Sequence, residues 1–258
     1  MAIHPTAIVD PQAEIAADAE VGPYCIVGKA VSIGARTRLM ANVFLEGPLT
    51  IGEDNIFYPF CSCGVAPQDK KYRGEPSETR IGHRNSIREF VTIHRGTEGC
   101  GMLTSVGDDN LLMAYVHVAH DVVIQNHTII ANGVTFAGHV TIEDYANVGG
   151  LSAVHQFIRI GRHSIIGSRS VIKQNVLPFS QTATDHSSAV YGANRVGLQR
   201  SGYPPESIEP LQNAFRLLTH AGLNTTQALA RIEEEIPRTP EVLELLAFIR
   251  ASGRGFIK

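Results

Sequence analysis

"NLLMAYVHVAHDVVIQNHTIIANGVTFAGHV", residues 110–140, decides how the chain folds. It holds His117, His120, His127 and His139, four of the eleven histidines. His117 and His120 lie three apart, which on an α-helix would put both imidazoles on one side. The apolar residues do not keep a helical period, however. Leu112, Val118, Ile124, Ile130 and Phe136 recur every sixth residue. The same register runs outward through Val106 in one direction and through Ile142, Val148, Val154, Ile160, Ile166 and Ile172 in the other. Further upstream it covers Ile3 to Cys63 in steps of six, and then Ile81, Ile87 and Ile93. None of these 26 slots is polar in a chain that is 43% apolar. Chance would give this less often than about once in 10^8 trials.

A six-residue apolar period is that of a hexapeptide-repeat parallel β-helix. Each hexapeptide makes one short strand and a turn, with its slot side chain pointing inward. Three hexapeptides close a triangular coil, and coils stack at about 4.8 Å. No single repeat can bury its own slot, so the core exists only once coils are stacked. The reading places a mainly β domain over residues 1–178, with insertions at 64–80 and 94–105 where the register breaks. Residues 179–203 are expected to be an irregular connector. From 204 to 258 the period becomes helical, and three helices are expected in a small all-α domain. Ile208, Leu211, Phe215 and Leu218 share a face, Asn224 with Gln227 forms a cap, and Thr239-Pro240 opens the last helix.

The remaining composition narrows the class. Net charge is −3, so there is no basic excess of the kind nucleic acid attracts. Four irregularly spaced cysteines make neither a disulfide framework nor a zinc knuckle. The first residues lack the basic and apolar regions of a signal peptide, and no apolar run approaches a membrane span. A cytoplasmic protein is expected.

A strict period lets residues be stacked by counting. Slots 63, 93, 118, 136 and 154 fall in one column, and both insertions leave the coil just after it. One to three positions beyond that column lie His94, His120, His139 and His155, on consecutive coils beside both loops. Gly138 stacks directly over His120. A general base beneath a bare backbone amide is what acyl transfer requires, the base to activate a nucleophile and the amide to hold an oxyanion. Asp121 is either the partner of His120 or an ordinary turn aspartate. His127 and His163, in other columns, are read as solvated corner residues. A zinc site is the sharper rival, needing three converging ligands, and the stacked glycine and lysine-bearing loop fit it less well.

The motifs "PQDKKYRGEP", "IREFVTIHRGT", "NLLMAYVHVAHD", "FAGHV", "AVHQF" and "GANRVGLQRSGY" run the length of the chain. In this order, and with a helical tail, the chain resembles the UDP-N-acetylglucosamine O-acyltransferase family of lipid A biosynthesis. The resemblance implies a homotrimer of left-handed β-helices with sites between subunits. It implies a 3-hydroxyacyl thioester on acyl carrier protein as donor, with neither a metal nor a bound cofactor. His120 would be the general base, Asp121 its orienting partner and Gly138 the oxyanion donor. Gln68, Asp69, Lys71, His94, His117, His139, His155, Gln156, Asn194 and Arg200 match positions that line the site or hold the sugar nucleotide. Ser168 matches the position that measures the acyl chain. Val196 and Ser201 depart from members that carry Glu and Arg there, and His186 receives no role. An acidic carrier also calls for a local basic patch, and Arg200, Arg216, Arg231 and Arg238 are its candidates. The alternatives are another hexapeptide acyltransferase, coenzyme A-dependent or N-acylating, a zinc carbonic anhydrase-like trimer, and a non-catalytic scaffold. The resemblance leaves open the acyl length and whether the acceptor bears a 3-hydroxyl or a 3-amino group.

Overall fold

A computed structural model describes residues 2–99, 101–185 and 187–258. Very short parallel strands stack into three sheets that form the faces of a left-handed prism. The pairing register is the one that counting by six requires. Cys63 pairs with Ile93, Ile93 with Val118, Val118 with Phe136, Phe136 with Val154 and Val154 with Ile172. We call this the second face. The first face carries Phe57, Ile87, Leu112, Ile130, Val148 and Ile166. The third carries Ile51, Ile81, Val106, Ile124, Ile142 and Ile160.

Each repeat has a fixed conformational plan. Every slot from Val21 to Ile172 is buried. Ile3, on the first described coil, is 40% exposed. Strand alternation turns a second residue inward two positions before the slot, where Val116, Val122, Val134 and Val140 are buried. At the edge joining the third and first faces that inner position is polar from Thr37 to Thr128. Asn55, Asn85, Asn110 and Thr128 form a buried ladder there, each amide oxygen accepting from the residue one coil on, at 2.8–3.0 Å. Such a polar column is tolerated because every member is paired. Three positions after the slot the backbone turns left-handed, as at Asp121 (φ 58°), His127 (φ 56°) and His139 (φ 64°). Asp and His enter that region more readily than most residues.

The strands on either side of the two insertions continue to Val65 and from Glu78, and to His94 and from Leu103. The excursions themselves are residues 66–77 and 95–102. The connector is more ordered than expected. Ser180–Asp185 and Ser187–Ala193 form an antiparallel hairpin whose first strand extends the first face by pairing with Ile165 and Ile166. Helix α1 (Arg195–Arg200) follows. The stretch carries little apolar periodicity, since its order comes from backbone pairing with the last coil.

The tail folds as its caps predict, into α2 (Pro205–Thr219), α3 (Thr225–Glu235) and α4 (Pro240–Ala251). Asn224 and Gln227 make a full capping box, and Thr239 accepts from the Val242 N–H. The helices dock on the end of the prism. The Arg159 guanidinium lies 4.4 Å from the centre of the Phe248 ring, and Arg162 donates to the Tyr203 hydroxyl at 2.9 Å. Among the described residues no helix is long and apolar enough to cross a membrane.

Candidate active site

The site forms at the edge joining the second and third faces, where the chain turns through residues 119–122. The His120 imidazole donates from Nδ1 to Asp121 Oδ2 at 2.8 Å. A proton held at Nδ1 leaves Nε2 free to accept, which is the tautomer a general base needs. The Asp121 carboxylate is itself tied down. It accepts from the Thr97 N–H at 3.0 and 3.2 Å and from the Thr97 hydroxyl at 2.5 Å. The Asp121 N–H in turn donates to Thr104 Oγ1 at 2.8 Å. Burial pushes the Asp121 carboxyl upward, but the hydrogen bonds from His120 and Thr97 outweigh it and hold the group below its ordinary value. Asp121 is therefore a turn residue and the partner of His120 at once.

Gly138 sits over that pair. A β-carbon there would lie 2.7 Å from His120 Nε2 and 3.0 Å from Nδ1, so no side chain fits while the imidazole keeps its place. Its φ is not in the left-handed region, so the demand for glycine is one of space. Among the described residues the Gly138 N–H has no backbone acceptor.

Three imidazoles surround the dyad. His139 meets His120 edge to face with ring centres 5.1 Å apart, and stacks on Phe157 at 4.5 Å. His94 and His117 make a second edge-to-face pair at 5.1 Å, and His117 Nδ1 lies 2.7 Å from Thr92 Oγ1. Burial drives His94 down to about 4, with His117 and His120 adding to the effect. Burial also lowers His117 and His139, and for His139 the nearby Asp121 opposes it. His94, His117 and His139 are thus imidazoles that resist protonation. His155 and Gln156 occupy the same edge one coil beyond Gly138, exposed, with His155 Nδ1 3.3 Å from the Gln156 carbonyl.

The first loop reaches this edge. The Asp69 charge acts on His139, and the Asp69 carboxylate accepts from the Lys71 N–H at 2.9 Å. Gln68 and Lys71 have exposed side chains. The loop is clamped by Arg95, which counting by six does not single out. Its guanidinium donates to Tyr72 Oη at 3.0 and 3.1 Å, to Glu46 at 3.2 Å and to the Gly64 carbonyl at 2.8 Å. Glu75 of the first loop accepts from the Glu98 N–H of the second at 3.3 Å. Thr97 and Arg95 sit in an insertion with no period, and the only trace of them in the sequence is their place in "IHRGT". Thr97→Val keeps the backbone donor and the shape but removes the hydroxyl. It should lower kcat about tenfold, by the worth of one charge-assisted hydrogen bond. Because the Asp121 carboxyl would then rise, the acid limb of the pH–rate profile should move to higher pH. An unchanged profile would mean that Thr97 does not act through Asp121.

Three implied site residues lie elsewhere in the chain. Asn194 caps α1, accepting from the Gly197 N–H at 3.1 Å and donating to the His163 carbonyl at 2.9 Å. That is the edge joining the third and first faces. Arg200 is exposed at the end of the same helix. Ser168 is exposed at the edge joining the first and second faces. Within one chain none of the three meets His120. His163 is also not the solvated corner residue expected. It is 5% exposed, stacked on Tyr145 at 4.6 Å, and burial pushes it down to about 4. Of the basic-patch candidates, Arg231 is already paired with Glu235 at 2.6 Å and offers a carrier little free charge. Val196 is exposed, Ser201 caps the end of α1, and His186 lies outside the described residues.

The chain's C-terminal part, residues 175–257, matches the family model for UDP-N-acetylglucosamine O-acyltransferase domain 2, and residues 104–138 match the bacterial transferase hexapeptide model. A protein of Thermodesulfovibrio yellowstonii named acyl-(acyl-carrier-protein)–UDP-N-acetylglucosamine O-acyltransferase is 46% identical over 256 residues, covering 99% of both chains. The chain belongs to the UDP-N-acetylglucosamine O-acyltransferase family. Among solved structures, LpxA of Acinetobacter baumannii is 41% identical with a TM-score of 0.94, covering 99% of each chain. LpxA of Bacteroides fragilis is 39% identical with a TM-score of 0.96, covering 99% of this chain and all of that one.

Proposed function

We propose that this acyltransferase moves a 3-hydroxyacyl group from acyl carrier protein to the 3-position of UDP-N-acetylglucosamine, the first step of lipid A biosynthesis. The observation that carries this is the His120–Asp121 dyad packed directly beneath Gly138, whose N–H has no backbone acceptor among the described residues. His120 Nε2 removes the proton of the sugar 3-hydroxyl, and the oxygen attacks the thioester carbonyl carbon. The charge that develops on the carbonyl oxygen is held by the Gly138 N–H. As the carbon–sulfur bond breaks, the His120 imidazolium returns its proton to the carrier's sulfur. Asp121 stabilises the imidazolium throughout. The imidazole and the amide dipole supply both halves of the chemistry, so no metal or cofactor enters the scheme. Incubating the purified protein with 3-hydroxyacyl carrier protein and UDP-N-acetylglucosamine tests it: one acylated sugar nucleotide per thiol released is expected. An acyl-protein adduct with no sugar product would refute it.

The working unit is a homotrimer. His120, Ser168 and Asn194 lie at three different edges of one prism, so a site using all of them must be built between copies. The surface supports such packing. Phe60, Phe90 and Tyr115 form an exposed stack with ring centres 5.0 and 4.9 Å apart, and Ile8, Leu151 and Val171 are also exposed on or beside the second face. Outer positions of the third face are instead occupied by residues such as Glu14, Arg80 and Arg159. Exposed apolar side chains of this kind, the aromatic stack above all, mark an interface. Cys25, Cys61 and Cys63 are buried free thiols, which suits a reducing, cytoplasmic setting.

Ser168 would then measure the acyl chain along the cleft. Ser168→Met should favour a donor about two methylenes shorter, by roughly tenfold at about 0.8 kcal/mol per buried methylene. Competition between donors of different length reads this directly, and an unaltered preference would place the end of the groove elsewhere.

A further inference from the structure

We propose that His120, Asp121 and His139 form an inhibitory binding site for a divalent cation of zinc type. Asp121 Oδ2 lies 2.8 Å from His120 Nδ1 and 3.7 Å from His139 Nδ1. Ligand atoms of the three residues fall within 4.8 Å of one another. A tetrahedral zinc with bonds of about 2.0–2.1 Å needs its ligand atoms about 3.3–3.4 Å apart. The two separations from the carboxylate straddle that value, each within about half an ångström of it. His139 Nδ1 is buried and has no hydrogen-bond partner. A buried nitrogen left in that state is the exception that calls for a ligand. Both imidazoles are 17% exposed, so the ion can enter from the cleft, with water as fourth ligand. Two imidazoles and one carboxylate suit zinc better than magnesium or calcium, which prefer all-oxygen sets.

The chemistry makes this site inhibitory. The ion takes the Nδ1 lone pair of His120, and the proton formerly at Nδ1 moves to Nε2. The hydrogen bond to Asp121 is exchanged for two metal bonds. Nε2 is then a donor and cannot accept the acceptor hydroxyl's proton. One ion per chain therefore removes the base without unfolding the protein. The inference that the ion inhibits rests on the proposed acyl transfer, whereas its binding does not.

Equilibrium dialysis of the full chain against buffered zinc, with metal quantified per chain, tests the binding. One zinc per chain is expected, and His139→Phe, which preserves the stack on Phe157, should weaken it at least about tenfold. His4→Ala, far from the site, should leave it unchanged. Binding lost equally in His4→Ala, or kept in His139→Phe, would mean surface histidines hold the metal and would overturn the proposal. Should His139→Phe fail to fold, the cobalt spectrum of the native protein decides, with tetrahedral bands expected and octahedral bands refuting. In the acyl-transfer assay zinc should inhibit the native enzyme reversibly on chelation, while whatever rate His139→Phe retains should be insensitive. If the native protein binds one zinc at this site but catalyses no acyl transfer, the proposed reaction fails and the metal site stands.

Discussion

His120→Ala should lower kcat by at least about 10^2-fold, the usual worth of a positioned general base. The KM for UDP-N-acetylglucosamine should change far less, because the neighbouring His94, His117 and His139 are left in place. The fold should not suffer. His120 sits at a corner, outside the buried slots, and neither Val118 nor Phe136 depends on it for packing within the prism. Asp121 would lose one of its donors but keep both from Thr97. Steady-state kinetics beside a thermal melt give the answer. A variant turning over within a few-fold of the native enzyme would remove His120 from the chemistry and leave the imidazole cluster without an assigned base.

Gly138→Ala should be nearly as damaging, at about 10^2–10^3-fold in kcat. Only one methyl group is added, and the backbone at 138 can carry it, so the loss must come from the neighbour. The new carbon would stand 2.7 Å from His120 Nε2. The imidazole cannot stay there and keep its 2.8 Å bond to Asp121. It is also hemmed in by the edge of His139. Turning the ring away breaks the dyad, and the methyl group crowds the space where the oxyanion would meet the amide. The melting temperature should move little compared with the rate. Combining the two substitutions should cost less than the sum of the separate losses, since the displaced imidazole is counted in both and only the crowding of the oxyanion space remains. Fully additive losses would show that Gly138 acts independently of His120.

Much of this molecule could be read before any coordinates. The six-residue period is local and strict, so register adds without error from coil to coil. Counting alone put Gly138 over His120 and gathered His94, His120, His139 and His155 at one edge. The helical tail was equally legible, because caps such as Asn224 with Gln227 are decided by residues three apart. The insertions were not legible, because they have no period to count along. That Thr97 folds back onto Asp121, and that Arg95 clamps Tyr72, are contacts across about 24 residues set by loop shape. The hairpin at Ser180–Ala193 escaped notice for a related reason. Its first strand is ordered by backbone pairing with Ile165 and Ile166 and its second by pairing with the first, and pairing leaves no mark on side-chain type. His163 departs from the expected solvated corner because a corner position looks the same in sequence whether solvent or a ring such as Tyr145 stacks against it. The sequence by itself therefore determined the prism, its register and the residues that share an edge. Only the tertiary structure decided which of those residues touch, and that His120, Ser168 and Asn194 face three different edges. A period fixes where a residue stands along the coil, but contact depends on how non-repeating segments close over it.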